Sequence, residues 1–231
     1  MINFSGRHFK KDLIMMAIRW YVAYTLSYRD IEELMAERGI QVDHSTIHRW
    51  VVKYAPQLEE HFNKCYKRQP CTSWRLDETY IKIKGQWYYL YRAIDRHGDT
   101  VDFALSEHRD EKTAYTFLKK ATGSSNVIPD KIVIDQSGAN TAGITMFNYL
   151  FFTLGLWFLM IEIIQIKYLN NLIEQDHRSV KKKMKAALGF KSTQGAKATI
   201  SGVELYRMLK KKQMHCHQDK ATYQQFYLLA A

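Results

Sequence analysis

WRLDETYIKIKGQWYYLYRAIDRHGDTVDFALS, residues 74–106, reads as three strands. Trp74 to Lys84, Gln86 to Asp95 and Thr100 to Ser106 are rich in Tyr, Ile and Trp, whose branched or flat side chains fit a pleated surface. Gly85 and Gly98 punctuate them where two hairpins would turn. A helical pattern follows from about Glu111 to Thr122. Lys131-Ile132-Val133-Ile134 is then a short continuous apolar run, the mark of a strand covered on both faces, and it ends on Asp135. The remainder reads helix, strand, helix, helix.

Upstream of residue 56 the period is helical. Leu13, Ile14, Ala17, Ile18, Tyr21 and Val22 fall on one stripe of a first helix. Ser27 can cap a second, with Asp30 three residues on as in a capping box, and Gly39 should end it. Asp43 can cap a third, with Ile47, Trp50, Val51 and Tyr54 inward and Pro56 following its stop. The whole is an α/β chain. The element order is that of a ribonuclease H-like mixed sheet flanked by helices, preceded by a small all-α helix-turn-helix domain. The expected boundaries are a helix-turn-helix domain over 1–56, a linker over 57–72, the sheet domain over 73–214 and a tail over 215–231.

The chain has 231 residues, 46% of them hydrophobic and 13% aromatic, enough to build a core, which excludes a disordered tail. A net charge of +11 points to a polyanionic partner, nucleic acid before any other. Cys65, Cys71 and Cys216 are odd in number and not closely paired, so neither a disulfide framework nor a zinc site is expected. His215-Cys216-His217 reads as part of a polar tail, because adjacent side chains diverge. The basic stretch Met1 to Lys11 lacks a following apolar signal core, which fits a reducing cytoplasm. YLFFTLGLWFLMIEII, residues 149–164, is shorter than the ~20 apolar residues of a membrane span. Thr153, Gly155 and Glu162 interrupt it, so it reads as a buried helix end and a buried strand broken at Gly155, and no membrane partner is expected.

In a helix-turn-helix the second helix of the motif enters the major groove and its first turns touch the bases. Here the expected outward side chains are His44, Ser45, Thr46, His48 and Arg49, and Arg49 could grip guanine O6 and N7 together. Double-stranded DNA also suits two metals held by converging carboxylates, which activate a nucleophile and stabilise a leaving oxygen on a phosphodiester. In a ribonuclease H-like sheet these acids come from the first strand, the end of the buried fourth strand and a later helix. The first strand offers Asp77 or Glu78, which point to opposite faces. Asp135 stands at the end of the fourth strand. The helix offers Glu174 or Asp176, ~200° apart around its axis, so one of the two can face the metals. Asp95 and Asp102 read as polar hairpin residues.

WRLDETYIK (74–82), YLYRAID (89–95) and KYLNNLIEQDHR (167–178) resemble the insertion-sequence transposases of the IS-six group. So do LSYRD (26–30) and HSTIHRW (44–50) in the helical module and LGFKS (188–192) near the end, so the resemblance covers nearly the whole chain. It implies a D-D-E transposase that binds the terminal inverted repeats of its element and performs metal-dependent strand cleavage and transfer. It further implies that Asp77, Asp135 and Glu174 are the catalytic and metal-holding triad, with Mg2+ as the cofactor and Mn2+ as a substitute. A homo-oligomer on DNA, in the bacterial cytoplasm and nucleoid, is expected because two ends must be paired. Arg178, Lys181, Lys182 and Lys183, beyond Glu174, are expected to track phosphates. The alternative is an inactive remnant that serves only as a helix-turn-helix DNA-binding protein. One departure is the interval from Asp135 to Glu174, slightly longer than in many relatives.

Overall fold

Alternation over the opening stretch produces three antiparallel strands in a computed structural model of the chain: β1 (Ser73–Ile83), β2 (Gln86–Asp95) and β3 (Thr100–Ser106). Lys84 and Gly85 join β1 to β2 with both φ angles positive, the two-residue turn whose twist matches that of the strands it joins. β4 (Lys131–Ile134) lies parallel to β1, and β5 (Glu162–Gln165) parallel to β4, which gives the order β3-β2-β1-β4-β5. This is the ribonuclease H-like order. The described residues are 2–4, 8–135, 138–166, 171–186, 189–217 and 219–230, without the side chains of 171, 172, 174, 175, 179 and 184–186.

The sheet belongs to a compact unit of residues 69–179. Trp74 and Leu76 of β1, Tyr91 and Ala93 of β2, and Ile132 and Ile134 of β4 form one apolar face of it. Phe117 and Leu118 of α4 (Glu111–Ser125) and Ile144 and Phe147 of α5 (Gly138–Thr153) pack into the same core. Asp110 caps α4 by accepting from the Thr113 N–H. A Cβ at Gly143 would lie 2.6 Å from Ala114 Cβ and 2.9 Å from the Tyr115 nitrogen, so only glycine lets α5 seat against α4. Asp95 and Asp102 are buried carboxylates, not merely polar hairpin residues. Asp95 accepts from the N–H groups of Cys71, His97 and Asp99, and Asp102 from Lys120 and Ser124.

A second compact unit joins residues 1–68 to residues 180–231. α1 (Lys11–Ala23) buries the expected stripe through Ile14, Ala17, Ile18, Tyr21 and Val22. α2 (Tyr28–Ala36) starts on the Ser27/Asp30 capping box and α3 (His44–Cys65) on Asp43. α3 does not stop at Pro56. Its apolar stripe runs on through Leu58 and Phe62, both fully buried, and that burial outweighs the ~3 kcal/mol that an interior proline costs a helix. Residues 57–65, expected as linker, are therefore helix.

The other expected boundaries move as well. α7 (Thr193–Lys210) packs with α1 and α3, and a Cβ at Gly202 would meet Val22 Cγ1 at 2.6 Å and Ala55 Cβ at 3.2 Å. Residues 180–214 thus belong with the helical unit and not with the sheet. The segment after residue 214 is no bare polar tail either. It holds α8 (Thr222–Leu228), whose Phe226 is fully buried. The three cysteines are free. No helix among the described residues is long and apolar enough to cross a membrane. The 149–164 stretch does break at Gly155 into helix and strand, but much of it is exposed, contrary to the burial expected of it.

Candidate active site

Alternation along β1 sets its two acids on opposite faces. Trp74, Leu76 and Glu78 share the face packed by α4 and α5, and Arg75 and Asp77 share the other. Glu78 is buried there in an ion pair with Arg109 and accepts a hydrogen bond from Asn140 Nδ2 at 2.7 Å. Both carboxylate oxygens are engaged, so Glu78 ties β1 to the helical layer and does not face an open site.

Asp77 lies on the opposite face. The parallel pairing of β1 with β4 runs Ser73↔Lys131, Trp74↔Ile132, Arg75↔Val133. Carried two residues further, the same register would set Asp135, the residue after β4, level with Asp77, on neighbouring chains ~4.8 Å apart. α6 (Asn171–Ala186) meets this face: His177 Nε2 lies 3.1 Å from Asp77 Oδ2. Glu174 is on α6 one turn before His177, and its side chain lies outside the described residues.

A buried relay holds the contact in place. Arg92, opposite Asp77 on β2, is fully buried, ion-paired with Asp176 and 3.5 Å from His177 Nδ1. A guanidinium has only donors, so His177 Nδ1 accepts, Nε2 carries the hydrogen and donates it to Asp77 Oδ2. Both oxygens of Asp77 are thereby oriented, Oδ2 by His177 and Oδ1 by the Glu78 N–H, which donates to it at 2.9 Å. Arg92 and His177 were not singled out from the sequence. The available signal was an arginine in the middle of an otherwise apolar strand, a position where charge is kept only when paired.

Asp77 and Asp135 offer hard oxygen donors on partly exposed side chains, the chemistry that suits a divalent ion such as magnesium. Among the described residues, the cluster that brings three possible ligand atoms together is Glu32, Asp43 and His44 in the helical unit. It has a structural explanation: Asp43 caps α3, and His44 Nδ1 sits 2.9 Å from Glu32 Oε2.

The expected DNA contacts divide. On α3, Ser45 and Arg49 are exposed and Thr46 half-buried, and Arg49 Nη2 donates to Thr46 Oγ1 at 2.8 Å. His44 is held by Glu32. His48 does not point outward: it is half-buried, edge-on to the Tyr28 ring, and burial pushes its pKa down. His44, Ser45 and His48 line a cleft of about 670 Å³ with Arg29, Lys191 and Ser192. Arg178, Lys181 and Lys182 are exposed on α6. Lys183 is a correction, because its ammonium is buried under the Tyr21 ring at 3.9 Å and donates to the carbonyls of Tyr24 and Leu26 at 2.9 and 2.8 Å. It cannot track phosphates. Desolvation draws its pKa down to about 8.

The chain is similar to known proteins along most of its length. A family model described as a DDE domain, of the IS240 transposases, matches residues 71–213, and one described as the transposase IS66 family matches residues 8–131. The transposase for insertion sequence-like element IS431mec of Staphylococcus aureus is 40% identical over 220 residues, which is 92% of this chain and 90% of that protein. The transposase for insertion sequence element IS257 in transposon Tn4003, also from Staphylococcus aureus, shows the same identity and coverage. Among solved structures, the catalytic core domain of BIV integrase is 17% identical with a TM-score of 0.45, over 69% of this chain and 95% of that one. The extent of the DDE match and of the identity to full-length transposases shows that the chain belongs to the DDE transposases of insertion sequences.

Proposed function

We propose that the protein cuts and joins the DNA ends of its own insertion sequence, with Asp77, Asp135 and Glu174 as the catalytic triad. The observation that supports this reading is the β1/β4 register as far as Arg75↔Val133, whose continuation by two residues would set Asp135 level with Asp77, on the face that α6 meets through His177. The three carboxylates would hold a pair of magnesium ions, with manganese as a substitute. When bound, such a pair supplies activation of a water or 3′-hydroxyl and stabilisation of the leaving oxygen. The chain's own part is positional: His177 orients Asp77, and Arg92 with Asp176 holds His177. Identity over nine tenths of the chain and the matched DDE domain favour this enzyme over a remnant that only binds DNA. Chelation tests the metal. Full-length protein incubated with a labelled duplex carrying the element's end should yield nicked and joined products in magnesium and none in EDTA. Products that persist in EDTA would sink the two-metal reading.

The helical unit is proposed to bind the terminal repeats in the bacterial cytoplasm, with Ser45, Thr46 and Arg49 facing the groove and Lys181 and Lys182 meeting phosphates, and Arg178 of the sheet unit is proposed to meet phosphates as well. Support comes from the exposure of Ser45, Arg49, Arg178, Lys181 and Lys182 and from the net charge of +11. Arg49→Ala is expected to weaken binding to an end-containing duplex by about 1–3 kcal/mol while leaving binding to random duplex within twofold, as loss of a base-reading contact does. An equal loss on both duplexes, read by fluorescence anisotropy at one salt concentration, would remove Arg49 from base reading.

A further inference from the structure

Among the described residues, nine of the thirteen large apolar side chains left exposed fall between Met146 and Ile166. Tyr149 is 67% exposed, Phe152 64%, Trp157 72% and Phe158 79%. From Gln136 to Ile161 the chain carries no charged residue, in a protein whose net charge is +11. Monomeric proteins rarely leave so concentrated an apolar patch in water.

The patch is built on a fixed frame. Asn148 is buried in α5 and clasps the backbone of Ile161, donating to its carbonyl and accepting from its N–H, both at 2.8 Å. The Leu156 N–H donates to the Phe151 carbonyl at 2.8 Å, and Leu156 and Leu159 turn inward onto the core. Trp157 and Phe158 are therefore held outward by a segment anchored at both ends. α5 itself is apolar all round: Ile144, Phe147 and Phe151 face the sheet, while Met146, Tyr149, Leu150 and Phe152 face away. A helix hydrophobic on every side is one that is covered on every side.

We propose that this face is where two copies of the chain meet. Its lack of Lys and Arg argues against the other large partners. An anionic bilayer and a phosphate backbone both select cations, and interfacial helices carry Lys or Arg along their polar face. An uncharged patch is also where two strongly basic chains can approach with the least local repulsion. The area suffices. At ~150–250 Å² per aromatic side chain, the exposed parts of Tyr149, Phe152, Trp157 and Phe158 amount to about 400–700 Å². The leucines and methionines of the patch bring this close to the ~800 Å² per partner of a stable interface. A two-fold contact uses the same patch on both copies, so this one segment is enough to build it.

This inference deepens the proposed function, in which two DNA ends must be paired, although its evidence is independent of DNA. Sedimentation velocity on the full-length chain without DNA tests it. Wild type is expected to be a dimer at micromolar concentration. Trp157→Glu/Phe158→Glu and Trp157→Lys/Phe158→Lys should each raise the dimer Kd by at least roughly 100-fold, the size expected from losing two interface aromatics. Both side chains are exposed, so circular dichroism and the melting curve should stay as in wild type. Mixing the acidic and basic variants should restore the dimer, which misfolded proteins would not do. A dimer that persists in both variants overturns this surface and leaves pairing by another face. A monomeric wild type overturns the surface and self-association without DNA together, and binding of that monomer to neutral lipid vesicles would assign the patch to lipid instead. Joining activity of the wild type reports separately on the triad.

Discussion

Asp135→Asn is expected to lower the joining of a labelled element end by at least about 10³-fold, or ~4 kcal/mol of transition-state stabilisation, with folding and DNA binding unchanged. The reason is local. Asp135 follows a four-residue strand whose Ile132 and Ile134 are fully buried, so its backbone is set by the core while its side chain is partly exposed. The amide keeps the shape and removes the anionic oxygen that a hard cation needs. Quantified joined product within tenfold of wild type would exclude Asp135 from the triad.

Arg92→Leu should produce the largest loss of stability of any change near the site. Arg92 is fully buried between Asp176 and His177, and removing one member of a buried ion pair typically costs about 3–5 kcal/mol because the other charge is left in a dry environment. The midpoint of urea unfolding should fall accordingly. Arg92→Leu/Asp176→Leu should regain most of the loss, since apolar pairs of similar volume replace buried ion pairs at little cost. Joining should nevertheless stay low in the double variant, because His177 no longer has the donor that fixes its tautomer. Equal stability of Arg92→Leu and wild type would show that the relay contributes nothing to the fold.

The sheet was legible because its signals are local. Alternation along β1, the turn at Gly85 and the apolar run ending on Asp135 each reflect one strand or one pair of strands. The caps at Ser27 and Asp43 were legible for the same reason. The choice between Asp77 and Glu78 was also within reach. Trp74 and Leu76 mark the core face of β1, and Glu78 continues their alternation. Features that depend on distant segments were not. Pro56 reads as a stop unless Leu58 and Phe62 are known to meet a buried surface, and Phe226 reads as tail until α8 is seen packed. Lys183 shows the limit of reading charge as surface, for only the carbonyls of Tyr24 and Leu26 reveal that its ammonium is enclosed. Residues 149–164 show the converse, an apolar stretch whose exposure follows from α5 having one face on the sheet and one away from it.

The most direct test of the central claim compares wild type with Glu174→Gln for magnesium-dependent cleavage and joining of a duplex carrying the element's end, alongside binding of the same duplex. A triad with Glu174 as its third carboxylate predicts cleaved and joined products from wild type and none from the variant, with equal binding. Joining by Glu174→Gln at the wild-type rate would contradict it.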